Sequence, residues 1–408
     1  MDALGSSTAA WEAFAENRGL PRYRGRQIFD ALHRRGRFDF ATMRELPAPL
    51  REELAAEMPI RLPEVARREE SVDGSVKFGL RLADGALIEA VYMPVEESTA
   101  RVNEFADARA VSSSPLPTLD SRPSTSPVGH FTVCLSSQTG CAVDCAFCVT
   151  GRLGGGRNLS AGEILGQLHV VLRETGRSME GMRIVFMGMG EPFLNPEGVL
   201  PALEILFELV SSRRITVSTS GVTPAFPRFA ALSKRPNLAV SLNAADPATR
   251  ERLMPITKTY PLKELLAAIR AWPLESRRTI LIEYVLIAGV NDSEADARKL
   301  ARLLRGLSVK INLIPLNEDP TYLPDLRRPD EAAIDQFARV IATERLTVTV
   351  RRSKGPDASA ACGQLKGRTE DPRKRLGGRK GRPSVSFPCS RLPPPAACRP
   401  YVRSAESS

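Results

Sequence analysis

From Phe131 onward the chain alternates short, β-branched apolar runs with longer stretches whose apolar residues recur at helical spacing. The runs predict strands at Phe131 to Leu135, Arg183 to Met187, Arg214 to Ser218, Leu238 to Leu242, Thr279 to Ile287, Lys310 to Ile314 and Thr347 to Arg351. Helices are predicted between them over Ala161 to Glu174, Pro196 to Val210, Leu262 to Trp272, Ser293 to Leu307 and Asp330 to Glu344. Ser160-Ala-Gly-Glu163 has the form of a capping box and starts the first of these helices. Such βα alternation predicts an α/β fold with a parallel sheet, and about six units are too few to close an eight-stranded barrel. The expected architecture is an open, TIM-like (β/α)6 partial barrel, with its site at the C-terminal ends of the strands.

Two segments break the pattern. Residues 97–130 carry the Ser/Pro-rich runs Ser112-Ser-Ser-Pro-Leu-Pro and Ser121-Arg-Pro-Ser-Thr-Ser-Pro, and residues 368–408 are rich in Arg, Pro and Ser without an apolar period. Both are expected to be disordered, the first as an insertion and the second as a basic tail. The remaining boundaries are expected at 1–62 for a small helical N-terminal domain, 63–96 for a β extension and 131–367 for the barrel core.

At 408 residues and 42% apolar content the chain can bury a sizeable core. No run of about 18 apolar residues occurs, so no membrane span is expected. The net charge of +10 suggests nucleic acid, but the tail contributes +7 of it and leaves the body near +3. Local clustering says more. Between Arg18 and Arg37 lie seven arginines (18, 22, 24, 26, 34, 35 and 37) and His33 against the single acid Asp30, with Tyr23, Phe29 and Phe38 interleaved. This composition suits a phosphate backbone with stacking bases, and equally a solvated helix face.

The densest chemistry is Gly140-Cys-Ala-Val-Asp-Cys-Ala-Phe-Cys148, a CxxxCxxC spacing that places Cys141, Cys145 and Cys148 together with no fourth ligand in register. Structural zinc and ordinary iron-sulfur clusters take four protein ligands, so three point to a [4Fe-4S] cluster with one iron left open. A zinc knuckle completed by Cys134, or disulfides among the seven cysteines, carry less weight: the spacing is uncommon for zinc, and the count is odd and sparse.

Around this triplet, Cys134-Leu-Ser-Ser-Gln-Thr-Gly-Cys141, Met187-Gly-Met-Gly-Glu-Pro192, Ser218-Thr-Ser-Gly221, Ile311-Asn-Leu-Ile-Pro-Leu-Asn317 and Ala360-Ala-Cys-Gly-Gln-Leu365 follow one another. In content and order they resemble the dual-specificity RNA methyltransferases of the RlmN/Cfr family, radical S-adenosylmethionine (SAM) enzymes, over residues 10–95 and 131–367. The resemblance implies a radical SAM partial barrel with an RNA-binding N-terminal domain, a [4Fe-4S] cluster on Cys141, Cys145 and Cys148, and two SAM molecules per turnover. It implies SAM contacts from Gly190, Glu191, Ser218, Ser241, Leu242, Asn243 and Asn317, with Asn243 standing where the family usually has His. It further implies that Cys362 is methylated and carries the methyl group to RNA, that Cys134 resolves the adduct through a disulfide with Cys362, and that Glu89 accepts a proton.

Locally, Cys362 and Cys134 read equally as small core residues and Glu89 as an ordinary strand glutamate. Cys389 and Cys398 receive no role. The expected activity is cytoplasmic methylation of carbon 2 of an adenine in the peptidyl-transferase region of 23S rRNA, and also of a tRNA, by a monomer reduced by a flavodoxin- or ferredoxin-type donor. Carbon 8 methylation by the same family, or a non-catalytic RNA-binding protein with a structural metal, are the competing readings.

Overall fold

Inward-facing polar positions decide how this sheet is used. A computed structural model describes residues 2–95, 129–351 and 363–366; most of the 97–130 insertion, Cys362 and the 368–408 tail lie outside the described residues. Ten strands pair in strict chain order: β1 (Glu64–Glu70), β2 (Val76–Arg81), β3 (Leu87–Pro94), β4 (Phe131–Cys134), β5 (Met182–Phe186), β6 (Ile215–Thr219), β7 (Asn237–Ser241), β8 (Ile280–Leu286), β9 (Val309–Pro315) and β10 (Thr347–Val350). Pairing is antiparallel from β1 to β4 and parallel from β4 to β10. Sequential parallel order means that every crossover steps the same way around, which winds a barrel rather than a doubly wound sheet. Among the described residues β10 and β1 remain edges, so the barrel is open.

All seven strands expected from the sequence are present to within one residue at each end, giving seven parallel strands where about six units were expected. The β1–β3 meander lengthens the sheet by an antiparallel wing.

Helices cover the outer face. They are α1 (Thr8–Glu16), α2 (Tyr23–Phe29), α3 (Ala48–Glu57), α4 (Val149–Arg152), α5 (Ala161–Thr175), α6 (Pro196–Leu209), α7 (Phe226–Ala230), α8 (Pro247–Leu253), α9 (Leu262–Ala271), α10 (Glu294–Leu304) and α11 (Glu331–Thr343). The capping box at α5 forms as the sequence predicts: Ser160 Oγ accepts from Glu163 N and the Glu163 carboxylate accepts from Ser160 N. A second, at Ser293 and Asp296, starts α10.

The strand period of two separates two surfaces. Val133, Ile184, Val217, Val240, Ile282 and Ile311 point outward and are buried beneath the helices. Their neighbours Thr132, Val185, Thr216, Ser241, Glu283 and Asn312 point inward and line a lumen. A closed eight-stranded barrel fills this space with large aliphatic side chains. Here much of it stays polar and open.

Residues 2–62 pack against α5 and α6. Thr8 donates to the Glu208 carboxylate and Arg34 Nη2 to the Glu208 carbonyl oxygen at 2.8 Å. The arginine cluster is more neutral in space than in sequence. Arg18 pairs with Glu53 and Glu57, Arg22 with Glu12 and Glu16, Arg26 with Glu12, Arg34 with Asp30, and Arg35 and Arg37 with Glu45. Apart from Asp30, those acids come from α1, α3 and the loop before α3, outside the window from Arg18 to Arg37. His33 is not a surface ligand either: it is buried, with Nδ1 3.0 Å from Nε2 of His169 on α5.

Burial pushes His33 down to about 3, helped by His169 and Arg34, and His169 down to about 4. Both rings are neutral in the folded chain, whereas the unfolded chain binds their protons below about pH 6.5. Depressed folded values mean that the stability they allow is present above pH 6.5 and is lost as pH falls toward 4. Denaturant unfolding at pH 7.5 and 5.0 should therefore show a loss of about 2 kcal/mol for each ring. Replacing both histidines with Gln should flatten that difference.

Candidate active site

The C-terminal ends of the parallel strands meet in one cavity, lined by Cys141, Cys145 and Cys148 on the β4–α4 loop and by Met187, Gly190 and Glu191 after β5. Ser218 of β6, Ser241 of β7, Glu283 and Val285 of β8, and Asn317 after β9 complete its wall, together with Gly363. The cysteine loop is held by backbone bonds: Cys141 N donates to Gly154 O (3.0 Å) and Ala146 N to Leu253 O (2.8 Å).

Burial, then the neighbouring thiols led by Cys148, pushes the Cys141 and Cys145 thiols well above the ordinary cysteine range. Thiols so placed become thiolates only against added positive charge, which bound iron supplies. Among the described residues no three His, Cys, Asp or Glu side chains converge on a single metal ion. Three closely placed thiolates can each bind a separate iron of one [4Fe-4S] cluster and leave the fourth iron open, so the chemistry of the donor set fits that cluster.

The Met187-Gly-Met-Gly-Glu turn is shaped by its glycines. A Cβ on Gly188 would lie 2.7 Å from Leu135 O, and one on Gly190, where φ is +99°, would lie 2.7 Å from Gln138 N. That close approach lets Glu191 N donate to Gln138 Oε1 at 2.8 Å. The Glu191 carboxylate, buried and shifted upward by burial, accepts from Ser220 N (2.7 Å), Ser220 Oγ (2.5 Å) and Phe193 N (2.9 Å). It thereby ties the β5 turn to the Ser218-Thr-Ser-Gly221 loop.

Ser218 Oγ donates to Glu283 Oε2 at 2.9 Å. Glu283, whose carboxyl is also raised by burial, was not singled out from the sequence. Its signal was available as an acid inside the apolar run Leu281-Ile-Glu-Tyr-Val285. Arg250 was missed as well, with no local signal, since Ala248-Thr-Arg-Glu251 reads as helix surface. It is fully buried: Nη2 donates to Ser220 O (2.7 Å), Nη1 to Thr257 Oγ1 (2.6 Å) and Nε to Leu242 O (3.1 Å). One guanidinium thus clamps the ends of β6 and β7 together.

The other expected SAM contacts divide. Ser241 and Asn317 line the cavity, whereas Leu242 and Asn243 do not. Asn243 adopts the left-handed conformation at φ +58°, accepts from Val285 N (2.8 Å) and donates to Met254 Sδ (3.1 Å). Asparagine tolerates that backbone better than most residues, so the structure gives it a loop-shaping part.

Glu89 on β3 and Cys134 on β4 are not among the residues that line the cysteine cavity. Met93 and Thr132 line the lower part of the lumen, and period-two alternation puts Val91, Glu89 and Cys134 on the same face, with Val91 opposite Cys134. Both are buried. Glu89 Oε1 accepts from Arg67 Nη2 (2.9 Å) and Oε2 from Lys366 N (2.9 Å). The segment after Cys362 is tied to the cysteine loop as well, because Val149 N donates to Gly363 O (2.7 Å) and Thr150 Oγ1 to Leu365 O (2.6 Å).

Comparison with known proteins decides the family. Residues 135–301 match the Radical SAM superfamily, and residues 1–60 match the ribosomal RNA large subunit methyltransferase N-terminal domain. The chain is 42% identical to the dual-specificity RNA methyltransferase RlmN of Geotalea uraniireducens over 88% of its length and 94% of that protein's. It is 43% identical to that of Sorangium cellulosum, over 87% and 92%. The chain belongs to the RlmN family of radical SAM RNA methyltransferases. A crystal structure of a radical SAM methyltransferase from Sphaerobacter thermophilus superposes with a TM-score of 0.77 at 39% identity, covering 90% of this chain and 100% of that one. The superfamily's cofactors are a [4Fe-4S] cluster and SAM. Among the described residues, no helix is long and apolar enough to cross a membrane.

The glycine geometry yields a paired test. Gly190 and Gly85 both have positive φ, but a Cβ at Gly85 meets nothing within 4 Å. Gly85→Ala should cost about 1 kcal/mol from backbone strain alone. Gly190→Ala should cost several times more and lower iron retention after anaerobic reconstitution; equal melting temperatures for the two variants would contradict the crowding at Gln138.

Proposed function

We propose that this chain methylates carbon 2 of an adenine in the peptidyl-transferase region of 23S rRNA, and of a tRNA, using Cys362 as a methyl carrier and two SAM molecules per turnover. The observation that carries the reading is the tether of residues 363–366. Gly363, joined to Cys362 by one peptide bond, lines the cavity of the three cysteines, and Lys366 bonds to Glu89. That run of residues 363–366 from the cysteine cavity to Glu89 supports the reading of Cys362 as methyl carrier and Glu89 as proton acceptor beside the cluster ligands.

Adenine carbon 2 lies between two ring nitrogens and is too electron-poor to attack a SAM methyl group directly. Cys141, Cys145 and Cys148 would hold a [4Fe-4S] cluster, which when bound would supply the electron for reductive cleavage of SAM to a radical able to take hydrogen from a methyl group. The residues do the rest. Glu191 and Ser218 fix the cavity wall against which SAM is held, alongside Asn317. Cys362 accepts the first methyl group on sulfur; that methyl then gives one hydrogen atom to the radical derived from the second SAM, its carbon bonds to adenine carbon 2, and the resulting adduct radical passes one electron to the electron-carrier protein as carbon 2 loses its proton. Glu89 takes the proton that leaves carbon 2. Cys134 attacks the Cys362 sulfur as a thiolate, forming the disulfide and releasing the methylene carbon, which is protonated to methyl. A flavodoxin- or ferredoxin-type protein serves as electron donor, and the chain acts as a cytoplasmic monomer.

The two cysteines should fail differently. Cys362→Ala should transfer no methyl group to RNA, whereas Cys134→Ala should accumulate protein covalently joined to RNA through Cys362, seen as a shifted band that nuclease collapses. Normal turnover by Cys134→Ala without that band would remove its assigned role. Mass and position of the modified base separate carbon 2 from carbon 8 methylation.

A further inference from the structure

Beneath the cysteine cavity the lumen widens into a second space of about 820 Å³, open toward the N-terminal ends of the parallel strands. Met187 and Glu283 line both spaces and so stand between them. Thr132, Thr216, Asn237 and Asn312 supply polar walls, and Arg351 lies close enough to Glu283 to pull its carboxyl down against burial. At the mouth stand Arg183, Arg213 and Arg214, all exposed. Ile184 of β5 pairs with Ile215 of β6, so Arg183, one residue earlier on β5, and Arg214, which ends the tight turn Ser212–Arg214 leading into β6, lie at the same end of the sheet.

These arginines differ from the N-terminal ones. Six of the seven between Arg18 and Arg37 have carboxylate partners, and Arg24 donates to Gln27 Oε1 and Glu45 O. The side chains of Arg183, Arg213 and Arg214 make no hydrogen bond or ion pair among the described residues. Among the described residues these three guanidiniums have no carboxylate partner, an arrangement suited to anions, and Arg is the side chain best suited to phosphate. The volume lies within the range of roughly 300–1,000 Å³ usual for ligand sites.

We propose that this mouth holds the phosphates flanking the target adenine, and that the unstacked base enters the lumen from the N-terminal end and passes Met187 and Glu283 to reach the cysteine cavity. The proposal rests on the reading of the chain as an RNA methyltransferase. An acidic electron-donor protein is the other polyanion such a patch could attract. A concave entrance continuous with the site favours the nucleic acid, because a single nucleotide can be splayed into it and a globular surface cannot.

The test uses the full chain carrying Arg183→Gln, Arg213→Gln and Arg214→Gln together, reconstituted anaerobically, with iron content and melting temperature confirming the fold. Binding of a single-stranded loop RNA should weaken across sequences, and the slope of log affinity against log salt should fall by about 2, since each lost contact to single-stranded RNA removes about 0.7. Arg22→Gln, Arg26→Gln and Arg35→Gln together, which remove ion-paired arginines, should change the slope less. Should the lumen variant fold poorly, the single Arg214→Glu carries the same expectation with a smaller change. Unchanged RNA affinity and slope in a folded lumen variant would overturn the proposal. So would normal RNA binding combined with slowed reduction by an acidic flavodoxin, which would make the mouth a protein-docking face. If the unsubstituted protein neither binds nor methylates RNA, the functional reading itself fails and takes this proposal with it.

Discussion

The polar inward row of the parallel sheet is the constraint on which the rest of the molecule depends. A barrel normally gains much of its stability from the side chains packed inside it. Here Thr132, Thr216, Asn237, Glu283 and Asn312 face inward around space rather than around a core. The stabilising burial lies outside, where Val133, Ile184, Val217, Ile282 and Ile311 are sealed beneath α5, α6, α9, α10 and α11. A sheet held from its outer face can leave its axis open, and the upper end of that axis is where the cysteine loop, the β5 turn and the serines of β6 and β7 meet.

Such a cavity needs ties across its rim. Arg250 draws the ends of β6 and β7 together through Ser220 and Leu242, and Glu191 joins the β5 turn to Ser220. The segment 363–366 spans from the cysteine loop at Val149 and Thr150 to Glu89 on the antiparallel wing. Most of these bonds involve a buried charged group and a backbone partner, the combination most costly to break, because the survivor is left without water. The rim is consequently stiffer than its loop composition suggests.

The sequence was most informative where local pattern and tertiary role coincide. The strands from β4 to β10 are legible because each is a β-branched run between a turn and an amphipathic helix, and the α5 capping box because it is complete within four residues. The cysteine triplet is legible for the same reason. Pairing across distance was not. The arginines between Arg18 and Arg37 read as a cationic surface because Glu12, Glu45, Glu53 and Glu57 lie outside the window in which they were counted. His33 looked like part of that surface, yet its partner is 136 positions away on α5. Arg250 carries no local mark at all, since its burial depends on Ser220 O, Leu242 O and Thr257 Oγ1, acceptors brought from separate turns. Asn243 sat inside a recognisable motif, but its left-handed backbone, invisible in sequence, turns its amide toward Val285 and Met254.

In the proposed function Cys141, Cys145 and Cys148 hold a cluster with an open iron facing the cavity walled by Gly190, Glu191 and Ser218. The most direct measurement is electron paramagnetic resonance of the anaerobically reconstituted, reduced protein before and after SAM is added, with iron and sulfide counted on the same sample. The account predicts about four iron and four sulfide per chain and a cluster signal that shifts when SAM binds. Stoichiometric zinc without a chromophore, or a cluster whose signal SAM leaves unmoved, would contradict it.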